Sequence, residues 1–187
     1  MHKDYKTQLY QHRTIETPRL LLRPLDVESD APALFDLFAD EQSAYFNFIN
    51  PTTTLAEATL LLLDVFVKPL GVWAIIEKTS NQCIGTIDLG LGSIKRNDAV
   101  SLGYGLIPRA RKQGYATEAV NQVVAFAFNQ LAITRIQSEV NSANMASCQL
   151  LERCGFVLEG TKRKSQRATD GVLVDMAMYA LLIDDLI

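Results

Sequence analysis

Between Ala99 and Val140 the apolar pattern of the chain changes period twice. Ala99 to Ile107 is a β-rich run that passes into a polar loop containing Gly114. Beyond it, Ala116, Ala119, Val120, Val123, Val124, Ala127 and Leu131 recur every three or four residues, which predicts a helix with one broad apolar face. Ile136, Ser138 and Val140 then alternate with Arg135, Gln137 and Glu139, as a strand beside its sheet does. A strand, loop, helix, strand unit has parallel strands and a right-handed crossover. The chain therefore needs a sheet with at least one parallel pair and helices to cover it.

The rest of the chain supplies antiparallel material. Leu20 to Arg23 reads as a strand ended by Pro24 and Asp26. Ala33, Leu34, Leu37 and Phe38 fall at helical spacing behind Asp30, a cap-like residue, and Pro32. Thr54 caps a second helical pattern through Leu55, Ala58, Leu62 and Val65, which ends before Pro69 and Gly71. Val72 to Glu77 and Cys83 to Leu89, joined by a short polar link, have the pattern of a hairpin. After the polar loop Lys95 to Asp98, Ala99 to Ile107 extends that meander. Late in the chain a short helix over Met145 to Arg153 ends at Gly155. Two further β runs, Phe156 to Glu159 and Val172 to Leu182, enclose a basic loop with Lys162, Arg163, Lys164 and Arg167. No linker divides the sequence, so residues 15–187 are expected to form one domain and residues 1–14 a polar N-terminal extension.

Composition narrows the function classes. With 48% apolar and 21% charged residues the chain is ordinary for a folded protein. A net charge of -3 argues against a partner rich in nucleic-acid phosphate. Leu60 to Leu63 is far too short to span a membrane. Cys83, Cys148 and Cys154 form neither a C-x-x-C pair nor an even set, and Met1 to Asp4 precedes no apolar signal stretch, so the expected setting is a reducing cytoplasm. Nothing has metal-ligand spacing, and no metal is expected.

The loop from Arg109 to Thr117 joins a strand to a helix N-terminus, where unpaired N–H groups and the helix dipole favour anions. Gly114 allows close backbone approach, and Arg109, Arg111 and Lys112 add positive charge. By itself the same segment reads equally as a polar turn before an amphipathic helix. The P-loop pattern is absent, and Gly103-Tyr104-Gly105 lacks the third glycine of a dinucleotide fingerprint.

Four segments in order decide between these readings: Glu16 to Leu25 (ETPRLLLRPL), Gly103 to Pro108 (GYGLIP), Arg111 to Ala119 (RKQGYATEA), and Asn144 to Ser147 (NMAS) with Gly155-Phe156. In them the sequence resembles the GCN5-related N-acetyltransferases (GNAT), in particular the ribosomal-protein N-terminal acetyltransferase branch, from about Glu16 to the end. The resemblance implies a mixed, mostly antiparallel, V-shaped α/β sheet flanked by helices, with acetyl-CoA wedged where the sheet splays. It implies that backbone groups around Leu106 and Ile107 pair with the pantetheine arm. The pyrophosphate would be held by Arg111, Lys112, Gln113, Gly114, Tyr115, Ala116 and Thr117. Asn144 would bond the pantetheine, and Ser147 would protonate the departing thiolate; Asn144 also reads as the cap of the helix after it.

The reaction so implied is direct acetyl transfer to a primary amine, a protein N-terminus or a small amine, by a monomer or homodimer. A neutral amine needs somewhere to leave its proton, and Glu77, Asp88, Glu139 and Asp175 lie on expected strands; Asp88, mid-strand beside Ala99 to Ile107, is the preferred base. Cys148 beside Ser147 suggests an acetyl-cysteine, but no histidine partner is evident, which favours a buried structural thiol. A silent acyl-CoA-binding module and a nucleotide-binding oxidoreductase are the alternatives. Tyr45, Phe46, Phe48 and Trp73 are read as core or as acceptor-pocket lining.

Overall fold

The computed structural model describes residues 7–9, 13–65, 71–90 and 99–186. Most of the extension and the Lys95–Asp98 loop lie outside the described residues. The strands are β1 (Ile15–Glu16), β2 (Leu20–Pro24), β3 (Val72–Glu77), β4 (Gln82–Gly90), β5 (Ala99–Leu106), β6 (Arg135–Asn141), β7 (Val157–Arg167) and β8 (Leu173–Leu182). The helices are α1 (Val27–Ala39), α2 (Glu41–Phe46), α3 (Leu55–Val65), α4 (Tyr115–Asn129) and α5 (Met145–Arg153). One sheet runs in the order β1-β2-β3-β4-β5-β6-β8-β7. Every pairing is antiparallel except β5 with β6, the crossover pair expected from the change of period.

That parallel junction is short. β5 pairs with β4 from Ser101 to Leu106, but with β6 only at Ala99, Val100 and Ser101. Beyond Ser101 the two strands diverge, and the sheet opens into a V. Adjacent residues of β5 face opposite layers: a Cβ on Gly105 would meet Leu37 of α1 at 3.3 Å, whereas Tyr104 reaches Ser147 of α5. Helix α4 shares the layer of α5, with Phe126 edge-on to Trp73 at 5.9 Å. Leu20, Leu22, Leu34, Leu62, Ile87 and Ile136 are fully buried between the sheet and these layers, each contributing on the order of 2 kcal/mol.

Four sequence expectations need correction. Helix α1 starts at Val27, not behind Asp30, because Asp26 is the cap and accepts the Ser29 N–H at 3.1 Å. Asp30 is instead buried at 1% exposure and takes both arms of the Arg23 guanidinium at 2.7 Å. Helix α2 was not foreseen. Six residues are too few to display a period, and its one signal is Asp40, which ends α1 and accepts the Ser43 N–H at 2.9 Å to begin α2. In α3 Ala58 and Leu62 are buried as expected, but Leu55 is 46% exposed.

The basic segment Lys162 to Arg167 is strand, not loop. Residues Val157–Arg167 ladder with β8 through two register shifts and form the outer edge of the sheet. All eleven residues are exposed, so the strand carries no hydrophobic alternation by which to recognise it. The short helix α5 forms as expected, and Gly155 after it has φ 88°.

Candidate active site

The candidate anion loop turns by two left-handed residues, Lys112 at φ 61° and Gly114 at φ 83°. Gly114 is also the N-cap of α4, and having no side chain it caps nothing. The first bond inside the helix is Glu118 N–H to the Gly114 carbonyl at 3.1 Å. The N–H groups of Tyr115, Ala116 and Thr117 therefore have no partner among the described residues, at the positive end of a 15-residue helix. Lys112, Gly114, Tyr115, Ala116 and Thr117 all line a cleft of about 460 Å³.

The cleft crosses the opening of the V. Its other walls are Tyr104 to Leu106 on β5, Asn144, Ala146, Ser147, Leu150 and Arg153 at α5, and Leu37, Gln42, Ser43, Phe46 and Asn47 from α1 and α2. Of the aromatics weighed as lining or core, Phe46 lines the cleft and Trp73 is core at 2% exposure. The Asn144 side chain accepts the Ser147 N–H at 3.2 Å, so it caps α5 while facing the cleft. Ser147 Oγ lies 2.7 Å from Tyr104 Oη. Burial pushes the Tyr104 phenol up to about 12, and it remains a neutral hydroxyl.

Three residues expected at the cofactor are placed differently. Arg111 lines the cleft, but its Nη2 donates to Asp40 Oδ2 at 2.7 Å and Ser43 Oγ at 2.6 Å, and its Nε to the Leu106 carbonyl at 3.1 Å. It bridges the α1–α2 corner to β5. The Ile107 N–H donates to the Ile84 carbonyl at 3.0 Å, so by the alternation of an antiparallel ladder Leu106, not Ile107, presents its backbone to the opening. Gln113 does not line the cleft; its side chain donates to the Arg109 carbonyl at 2.8 Å.

Of the four candidate bases, three are engaged. Glu77 accepts from Ser80 at 2.6 Å and from the Tyr115 hydroxyl, which together hold its carboxyl below the usual range. Glu139 pairs with Lys162 at 2.7 Å, and Asp175 accepts the Lys164 N–H at 2.7 Å. Asp88 has no hydrogen-bond partner among the described residues, and burial raises it from the ordinary 3.8 to about 6. It lies across Gly103, where a Cβ would stand 2.5 Å from Asp88 Oδ1, on the face of the sheet that carries Gly105 and Leu37. Asp88 is not itself in the cleft wall, and neither is the buried Cys148. Sequence reasoning missed Tyr104, and of α2 it weighed only Tyr45 and Phe46, without the helix that carries them. The Tyr104 signal is one of spacing, since a side chain between two glycines on a strand faces away from both of them.

The family model for the acetyltransferase (GNAT) domain matches residues 19–157. This chain belongs to the GNAT family. The N-acetyltransferase YoaA of Bacillus subtilis is 30% identical over 174 residues, covering 90% of this chain and 96% of that protein. Among solved structures, the spermidine N-acetyltransferase of Vibrio cholerae in complex with CoA and spermine shares the fold with a TM-score of 0.76. It is 19% identical, over 90% of this chain and 98% of that one. The ribosomal-protein-S5-alanine acetyltransferase of Vibrio fischeri superposes with a TM-score of 0.72 at 22% identity, over 92% of this chain and 97% of that one.

As a GNAT enzyme the chain transfers an acetyl group from acetyl-CoA to an amine. Membership displaces the nucleotide-binding oxidoreductase considered from sequence. Among the described residues no helix is long and apolar enough to cross a membrane.

Proposed function

We propose that residues 15–187 act as one cytoplasmic domain that acetylates the α-amine of a polypeptide N-terminus by direct transfer. The observation that carries this reading is the row of unpartnered N–H groups at Tyr115, Ala116 and Thr117, opening into the same cleft as Leu106 and Ser147. In this reading those groups and Lys112 bind the pyrophosphate, with Gln113 and Gly114 shaping the turn. Leu106 offers its N–H to the thioester oxygen, and Asn144 bonds the pantetheine. The neutral amine attacks the thioester carbon, a C–N bond forms and the C–S bond breaks. Ser147 Oγ–H gives a proton to the leaving thiolate and regains one from solvent, and Asp88 takes the proton of the amine through a water relay and returns it to solvent.

The charge of the cleft favours a peptide amine over a polyamine. Its charged lining is Lys112, Arg153 and Arg111, the last paired with Asp40, with no carboxylate among the described lining residues. A polycation would meet like charge there. Leu37 and Phe46 instead offer apolar contact beside Gln42 and Asn47, which suits the first side chains of a peptide.

Thiol release from acetyl-CoA, followed over a panel of short peptides and polyamines, is expected to rise with peptides carrying a free N-terminus and to stay at background with spermidine. The reverse preference would overturn the acceptor class. Release with no amine at all, beside measurable CoA binding, would make the chain a silent acyl-CoA-binding module. Ser147→Ala is expected to lower kcat roughly a hundredfold with little change in CoA affinity. Unchanged kcat would remove Ser147 as the acid.

A further inference from the structure

Arg19, immediately before β2, meets the candidate pyrophosphate loop at three points. Its Nη1 donates to the Gln113 carbonyl at 2.9 Å, and its Nε to Glu118 Oε2 at 2.6 Å. Its guanidinium stacks 4.6 Å from the centre of the Tyr115 ring. A Cβ on Gly114 would stand 3.3 Å from Arg19 Nη2, so the loop is closed down against this one side chain.

Glu118 is the reason such a contact matters. It lies in the first turn of α4, beside the N–H groups that face the cleft, and its side chain is only 16% exposed. A carboxylate there favours the helix, yet it competes with any second anion for the same positive end. Glu118 is held away from the cleft by Thr17 Oγ1 at 2.6 Å, by the Arg19 N–H at 2.9 Å and by the Arg19 guanidinium. Burial alone would push its carboxyl up; these bonds hold it below the usual range and so keep it ionised. A charge in that place must be neutralised before a pyrophosphate can sit beside it.

We propose that Arg19 is a positioning residue of the donor site: it neutralises Glu118 and turns the Gln113 carbonyl away, so that the loop presents only donors to the pyrophosphate. The inference rests on the acetyl-CoA reading of the loop. It differs from the direct role given to Lys112, because Arg19 does not line the cleft and acts through Glu118 and Gln113.

Isothermal titration of the full chain with coenzyme A and, separately, with pantetheine tests it. Arg19→Ala is expected to raise Kd for coenzyme A about tenfold and to leave pantetheine unchanged. Arg19→Ala combined with Glu118→Gln is expected to recover most of that loss, which a purely structural brace would not do. Arg19→Ala binding coenzyme A as the wild type does would overturn the proposal. Equal weakening toward both ligands, or no recovery in the double variant, would also overturn it. A wild-type chain that binds no coenzyme A would instead refute the donor-site reading itself.

Discussion

Asp88→Asn is expected to lower kcat/KM about a hundredfold and to remove an acid limb near pH 6 from the pH–rate profile. In the proposed mechanism the carboxylate form is the base, so the wild-type rate is expected to rise as pH passes upward through about 6. A second rise near 8, belonging to a peptide α-amine acceptor, remains in both proteins. Stability moves the other way. Burial raises this carboxyl in the folded chain above its unfolded value, so its favourable contribution is complete below pH 4 and is lost as pH rises through 6. At pH 7.5 the wild type carries a destabilisation on the order of 3 kcal/mol from that charge. Urea unfolding across pH 4 to 7.5 should therefore show a slope from Asp88 that Asp88→Asn lacks. An unaltered pH–rate profile would remove Asp88 from the mechanism. Gly103→Ala supplies a check that leaves the carboxyl in place: its new Cβ, 2.5 Å from Oδ1, forces the group aside, and the limb near pH 6 should shift.

Asp30→Ala should unfold at lower urea, with a loss of about 3 kcal/mol and a fall in Tm of roughly 10 °C. The wild-type carboxylate is buried, receives both arms of Arg23 at 2.7 Å, and accepts the Asp26 N–H at 2.9 Å. Removing it strands a cation that is only 31% exposed on its side chain. Replacing both partners with apolar residues should recover part of the loss, since the deficit arises mainly from the unpaired charge. A change below about 1 kcal/mol would show the pair to be energetically neutral. The effect should extend to catalysis, because this pair fixes α1 to β2, and α1 carries Leu37 over Gly105 at the cleft.

The local geometry around the proposed donor site was legible in part: Gly114 before a helical period placed the start of α4, and Asn144 three residues before Ser147 placed a cap, while the loop itself read equally as a polar turn until the four ordered segments were taken together. What the loop cations do was not legible. Arg111 and Lys112 are neighbours in sequence, yet Arg111 turns to Asp40 and Ser43, residues distant in the chain that only the fold brings near. Asp30 was misread as a cap because a carboxylate before an apolar period gives the same signal whether it caps backbone or meets an arginine. Strand β7 was hidden for a different reason. Alternation reports one covered face, and a strand with neither face covered has nothing to alternate. The wall proposed to receive the acceptor rests on α2, whose six residues are shorter than two helical turns.

The three-pair seam between β5 and β6 leaves the backbone of β5 beyond Ser101 without a partner strand on that side, and in the proposed reading the acetyl donor takes that place. Where a neighbouring strand would continue, side chains stand in at two points: the Ser138 hydroxyl donates to the Leu102 carbonyl at 3.0 Å, and the Arg111 guanidinium donates to that of Leu106. Tyr104 lies between them on β5 and lines the cleft. A ligand seated there adds to folding free energy in proportion to the logarithm of its concentration over its Kd. The persistence of the fold would then follow the supply of its donor, and a cell poor in that donor would hold a softer protein as well as an idle one.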